Sequence, residues 1–208
     1  MDHHYKYKNI TISGLPGGGS TTLLRLLREE LSLDGWRGFS GGEFMRQYAL
    51  EHGSFAEQKG LHHDSSHYSD DFDRLVDMDM REKLHSQEKW IIESWLSGFL
   101  AQGLEGVLKV LVICSEDAIR IDRIVNRDNV TIQEAKENMR KRYDQNLAKW
   151  SRMYAPEWKE WVVETGACAA TEPINFWRPE LYDLVIDTYS TNREQTLTKV
   201  VNLLKGNE

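Results

Sequence analysis

Gly14-Leu15-Pro16-Gly17-Gly18-Gly19-Ser20-Thr21-Thr22 is the stretch that decides the fold. It follows the pattern G-x-x-x-x-G-K-[ST] at every fixed position except the lysine, where Ser20 stands. Just before it, Asn9-Ile10-Thr11-Ile12-Ser13 is short, β-branched and closed by glycine, which predicts a strand. Just after it, Leu23, Leu24, Leu26, Leu27 and Leu31 recur at helical spacing, and Asp34-Gly35 signals the turn that ends the helix. Strand, glycine loop and helix together predict a phosphate cradle. Glycines at 14, 17, 18 and 19 let backbone N–H groups turn inward around phosphate oxygens, and the helix N-terminus adds partial positive charge at the same point. Thr21 is placed to offer its hydroxyl to Mg²⁺, and Ser20 and Thr22 to offer hydroxyls or amides to the phosphates of ATP. A plain glycine-rich turn between strand and helix is the competing reading. Since phosphoryl transfer rests on positioning and electrostatics, the charge absent at position 20 has to come from other cations.

Working outward, residues 89–93, 108–113 and 182–187 are apolar runs bounded by polar residues, as suits strands buried on both faces of a parallel sheet. A weaker strand is expected from Arg37 to Ser40. Strands alternating with helical stretches predict an α/β, P-loop NTPase-type three-layer fold, doubly wound around a roughly five-stranded parallel sheet. Residues 41–88, polar and rich in His and Asp, and residues 120–180, with a long charged helix and a Trp-rich tail, interrupt that rhythm and are expected over the sheet edge. Thr131 with Glu134 is a capping-box pattern for a helix running to about Tyr154. Pro156 to Pro179 has no clear period and reads as irregular, with a helical piece around Trp158 to Val163. Thr191 with Glu194 is expected to open a last amphipathic helix that buries Leu197, Val200, Val201 and Leu204.

The 208 residues suffice for one substantial core, so one domain over 1–208 is expected. A formal charge of −7 argues against a nucleic-acid partner, because an acidic surface gains nothing from counterion release, although residues 120–152 are locally basic. Cys114 and Cys168 lack metal-ligand spacing, and Cys114 lies in an apolar run, which reads as a reduced, cytoplasmic protein. No apolar run approaches the roughly 18 residues of a membrane span.

In chain order, several further segments resemble the cytidylate kinase family, particularly its archaeal-type branch, in which a hydroxyl residue also replaces the loop lysine. Ser40-Gly41-Gly42-Glu43-Phe44-Met45-Arg46 is similar to the family's segment after the second strand, and Asp73-Arg74-Leu75-Val76-Asp77 to its D-R-x-V-D helix. Trp90-Ile91-Ile92-Glu93-Ser94-Trp95-Leu96-Ser97-Gly98 resembles its third strand and following turn. Arg120, Arg123, Arg127, Arg142, Asn146 and Lys149 resemble its basic lid, and Tyr182 to Thr188 its terminal strand. The resemblance implies a nucleoside-monophosphate kinase that moves the γ-phosphate of ATP to CMP or dCMP, acting as a monomer or homodimer on small nucleotides. It implies an acceptor-binding segment at 41–88 and a lid with extension at 120–180. Arg46 would meet the acceptor's phosphate, with Glu43, Asp73, Asp77, Glu93 and Trp95 on the acceptor side. Arg123 would contact ATP, and Ser20, Arg127 and Arg142 would serve the transfer itself. The chain departs from the family at Trp95, which stands where the family has an arginine and offers a wall for stacking a base, and in the longer stretch from Pro156 to Leu181. These departures keep two alternatives open: a kinase for another acceptor such as dTMP, a modified nucleotide or a small metabolite, and a nucleotide-binding protein without turnover.

Each of these residues also has a plainer reading. Arg46 can be a solvated helix charge, and Arg120, Arg123 and Arg127 can pair with Glu116, Asp117 or Asp122 along one helix. Glu93 at a strand end can act near Mg²⁺ or the acceptor, or can cap a neighbouring helix. His62-His63-Asp64 with His67 has metal-ligand chemistry, but the polar surroundings favour contact with substrate or solvent.

Overall fold

The computed structural model describes residues 5–51 and 68–207. Five parallel strands, β1 (Asn9–Ser13), β2 (Arg37–Ser40), β3 (Trp90–Glu93), β4 (Val107–Ile113) and β5 (Leu184–Asp187), form one sheet in the order β2-β3-β1-β4-β5. The expected α/β three-layer architecture is present. All of β1 is buried, as are Ile91 to Glu93 of β3, because helices cover both faces.

On one face, α1 (Ser20–Glu30) and α8 (Arg193–Leu204) bury Leu23, Leu24, Leu27, Val200 and Leu204 against Ile10, Ile12, Val110 and Val112. The other face is covered by α3 (Asp70–Ser86), the short α4 (Ser97–Leu100), the end of α6 (Ile132–Met153), α7 (Ala155–Trp158) and the chain beyond it. α2 (Gly41–Glu51) follows β2 without a loop, and α5 (Asp117–Asp128) follows β4.

The Trp-rich stretch is core. Tyr154, Trp158, Val162, Phe176 and Trp177 are buried with Phe99, around which ring centroids lie 4.8–6.0 Å away. Packing is close enough that a Cβ on Gly98 would come within 2.2 Å of the Tyr182 ring. The period is hard to read because α7 runs into a π-helical turn at Lys159–Val163, which shifts the buried face.

Two boundaries differ from expectation. α1 stops at Glu30, and a separate 3₁₀ turn, Ser32–Asp34, carries the chain to Gly35. The cap of α8 is Asn192 with Gln195 rather than Thr191 with Glu194; both reciprocal bonds are 2.9 Å. Thr191 instead donates its hydroxyl to the Asp187 carbonyl at 2.6 Å, tying down the turn that leaves β5. The box at Thr131 and Glu134 is as expected.

Candidate active site

The loop Gly14–Thr22 lies over the carboxyl end of β1, where ligands of open α/β sheets gather. Gly17 (φ 80°) and Gly19 (φ 108°) adopt conformations that side-chain-bearing residues resist. The glycines also let the loop lie directly on its support: a Cβ at Gly14 would approach the Val112 carbonyl oxygen to 2.6 Å, and one at Gly17 the Arg120 carbonyl oxygen to 2.8 Å.

Arg123 and Thr188 brace the loop from behind. The Arg123 guanidinium donates to the Gly17 carbonyl at 2.9 Å and the Thr188 hydroxyl at 2.8 Å, while that hydroxyl lies 2.7 Å from the Gly18 carbonyl. The structure thus puts the Arg123 charge on the loop's own backbone. Gly18 N–H is spent on Leu15 O at 3.0 Å, and Gly18 does not line the cleft in front of the loop.

Ser20, at the position a lysine would occupy, is buried and donates to Glu93 Oε1 at 2.8 Å; Ser40 donates to Glu93 Oε2 at 2.7 Å. Thr21 Oγ1 is 3.5 Å from Glu93 Oε1 and faces the cleft. Burial pushes the Glu93 carboxyl above its ordinary range, partly offset by the two serine hydroxyls and by Arg46, while Glu43 adds to the rise. Thr21 and Glu93 form an oxygen donor pair of the kind Mg²⁺ takes, so the residues fit that ion.

A cleft of ≈ 1340 Å³ runs forward from the loop. Pockets for one ligand are usually no more than about 1,000 Å³, so there is room for two. Of the sequence-predicted residues, Gly14, Gly17, Gly19, Ser20, Thr21, Thr22, Arg46, Asp73, Asp77, Glu93, Trp95, Arg123, Arg127 and Arg142 line it. Glu43 does not, because α2 turns it outward to solvent. His62, His63, Asp64 and His67 lie outside the described residues.

Asp73 and Asp77 of α3 are engaged with α6 and with Tyr154, which caps it. Lys149 Nζ is 2.9 Å from Asp73 Oδ2 and donates at 2.9 Å to Tyr68 O, and Tyr154 Oη donates to Asp77 Oδ2 at 2.6 Å. Arg74 bonds Glu157, and Arg152 bonds Asp70 at 2.7 Å. Desolvation raises the Asp73 carboxyl against the pull of Lys149, and pushes Asp77 up to about 7. Lys149, from the segment that resembles a basic lid, is buried in this seam, and Asn146 from the same segment is buried at the cleft wall. Arg127 forms a bidentate pair with Asp128 at 2.6 and 2.9 Å, and Arg120 pairs with Asp117 at 3.1 Å. The Arg142 guanidinium stands over the Trp95 ring, 5.2 Å from its centroid.

Sequence reasoning missed Ser40 as a partner of Glu93, Thr188 as a loop brace and Trp177 as a support of Trp95. Ser40 and Thr188 sat inside quoted segments, so spacing could have flagged them; nothing local marks Trp177.

The AAA domain family profile matches residues 10–143. A cytidylate kinase of Methanosarcina mazei is 33% identical over 189 residues, covering 90% of this chain and 91% of its own. One of Methanosarcina acetivorans is 32% identical over 193 residues, with the same coverage. The chain belongs to the cytidylate kinase family. As a cytidylate kinase family member it is an enzyme, a kinase built on the P-loop fold. A gluconokinase from Sinorhizobium meliloti shares that fold at a TM-score of 0.52 with 12% identity, covering 98% of this chain and 97% of its own. The cleft in front of the loop is lined by Arg46, Arg123, Arg127 and Arg142.

Proposed function

We propose that the protein transfers the γ-phosphate of ATP to CMP or dCMP. The observation that carries this reading is the single cleft that joins the phosphate loop to Arg46 and the α3 wall, with room for donor and acceptor end to end. Residues 41–88 then act as the acceptor-binding segment, and α5 with the first half of α6 as the lid.

In the proposed reaction the loop amides hold the β-phosphate, and Thr21 with Glu93 would hold Mg²⁺. The ion would neutralise charge on the β- and γ-phosphate oxygens. Ser20 keeps Glu93 oriented through its hydroxyl, which a lysine here would replace with an ion pair. Arg46 fixes the acceptor's phosphate, Arg127 approaches the transferring group from the ATP side and Arg142 from the acceptor side. Because Arg127 is already paired with Asp128, its guanidinium is oriented before ATP arrives. Closure of the lid excludes water, which would otherwise accept the phosphoryl group.

The test is ADP release from Mg-ATP with each nucleoside monophosphate in turn, beside a Thr21→Ala control. The reading expects turnover with CMP or dCMP that Thr21→Ala abolishes. Turnover with dTMP or another acceptor alone would reassign the substrate, and ATP binding with no acceptor-stimulated ADP release would refute the kinase reaction.

A further inference from the structure

Trp95 sits in the turn between β3 and α4, with its side chain on the cleft wall. Its ring is held on several sides. Trp150 meets it at 5.6 Å and 73°, Trp177 at 6.0 Å and 74°, and the Arg142 guanidinium carbon lies 5.2 Å from its centroid. Its backbone is held too, since Trp177 Nε1 donates to the Trp95 carbonyl at 2.9 Å. Trp177 is itself packed against Tyr143 and Phe176, at 5.5 and 6.1 Å. This ring cannot swing to follow a ligand without dismantling the aromatic cluster behind it.

An aromatic face beside a guanidinium has a specific consequence. It attracts the cation through the ring face without consuming a guanidinium N–H, so the same guanidinium can still serve a phosphate or carboxylate. Arg142 and Trp95 both line the cleft that contains Arg46. In the sheet, β3 lies between β1, which feeds the phosphate loop, and β2, which feeds α2 and Arg46. The wall after β3 therefore stands between the ATP loop and the acceptor segment.

We propose that Trp95 is a positioning residue that holds the Arg142 guanidinium for the phosphate of the acceptor nucleotide, with the Trp-rich chain after α6 serving as the brace that fixes Trp95. The proposal rests on the transfer reading above. It gives Trp95 a task other than stacking on the base, and it gives the stretch carrying Trp177 a reason to be aromatic.

The experiment is steady-state kinetics on wild type, Trp95→Phe, Trp95→Leu, Arg142→Gln and the Trp95→Leu/Arg142→Gln double variant, with cytidine as a dead-end competitor lacking the phosphate. Trp95→Leu and Arg142→Gln are each expected to raise the acceptor KM about tenfold while leaving the ATP KM within about twofold. The double variant should be no worse than either single one, since both changes remove one contact. Trp95→Phe, which keeps a ring face, should recover most of the loss. The inhibition constant of cytidine should stay unchanged in Arg142→Gln. Additive losses, a rise in the ATP KM instead, failure of Phe to rescue, or equal weakening of cytidine and CMP would each overturn the role given to Trp95. Absence of wild-type turnover with CMP or dCMP would overturn the transfer reading and this proposal with it, whereas wild-type turnover with any of the preceding outcomes sinks the Trp95 role alone.

Discussion

The phosphate loop is one uninterrupted run of chain, whereas the wall across the cleft draws Asp73, Trp95 and Arg142 from segments far apart in sequence and is backed by Lys149 and Trp177. The loop works through backbone: N–H groups, positive φ at Gly17 and Gly19, and main-chain contact with Val112 and Arg120. The wall works through side chains: a carboxylate against a lysine, a tyrosine hydroxyl on a carboxylate, a guanidinium on an indole. A site made of backbone is encoded where it stands and tolerates little change. A site made of side chains from distant segments is encoded twice over, in the residues and in the packing that brings them together, and can be retuned one contact at a time.

The sharpest way to break this contrast is Gly19→Ala. At φ 108° a Cβ is strained whatever space surrounds it, and relaxing the strain rotates the amides that cap α1. Activity should fall about 1,000-fold, comparable to losing a preorganised donor, with ATP binding weakened in parallel by calorimetry. Near-wild-type activity would mean that the loop is not held by its backbone geometry.

Lys149→Met tests the wall. It strands the buried Asp73 carboxylate without its cation, and stability measured by urea unfolding should drop by about 3 kcal/mol, the range for breaking one partner of a buried pair. Adding Asp73→Asn should return a good part of that loss. A lone Lys149→Met as stable as wild type would show that the α3–α6 seam is held by its apolar contacts.

A smaller effect sharpens the picture at Asp77. Its carboxyl, pushed up to about 7 by burial, keeps in the folded protein a proton that the unfolded chain releases near pH 4. Its contribution to stability is therefore complete below about pH 4 and is lost as pH rises toward 7. Asp77→Asn, which still accepts the Tyr154 hydroxyl, should flatten that slope across the window. Parallel stability curves for the two proteins would place the pH sensitivity elsewhere, with Glu93 the next group to examine because its carboxyl is raised as well.

Fold and loop were readable for the same reason: both are local. Apolar runs marked β1, β3, β4 and β5 to within two residues, and the capping box at Thr131 stands as read. At α8 the pattern was off by one residue, because Thr191 and Asn192 are both competent caps and the tie between Thr191 and Asp187 decides between them. The stretch after Pro156 gave no period since a π turn breaks the helical repeat within it. Among the site residues, Arg46, Arg127 and Arg142 are nominated by the resemblance to the family, since spacing alone leaves them equally readable as solvated or paired charges. The environments of the site residues were not readable: Arg127 lies in a bidentate pair, Arg123 is turned onto the loop, and Asp73 and Asp77 are joined to α6 and its cap.

By itself, the sequence determined the parallel sheet, the glycine loop with hydroxyls at 20 and 21, and a chemistry of phosphate. Each depends on residues within a few positions of one another, where backbone sterics and periodicity act directly. Only the tertiary structure decided that Ser20 serves Glu93, that Lys149 belongs to a buried seam, and that the tryptophans at 150 and 177 hold Trp95, whose ring faces Arg142. Those pairings join segments tens of residues apart, and side-chain type alone carries no record of which distant partner packing will supply.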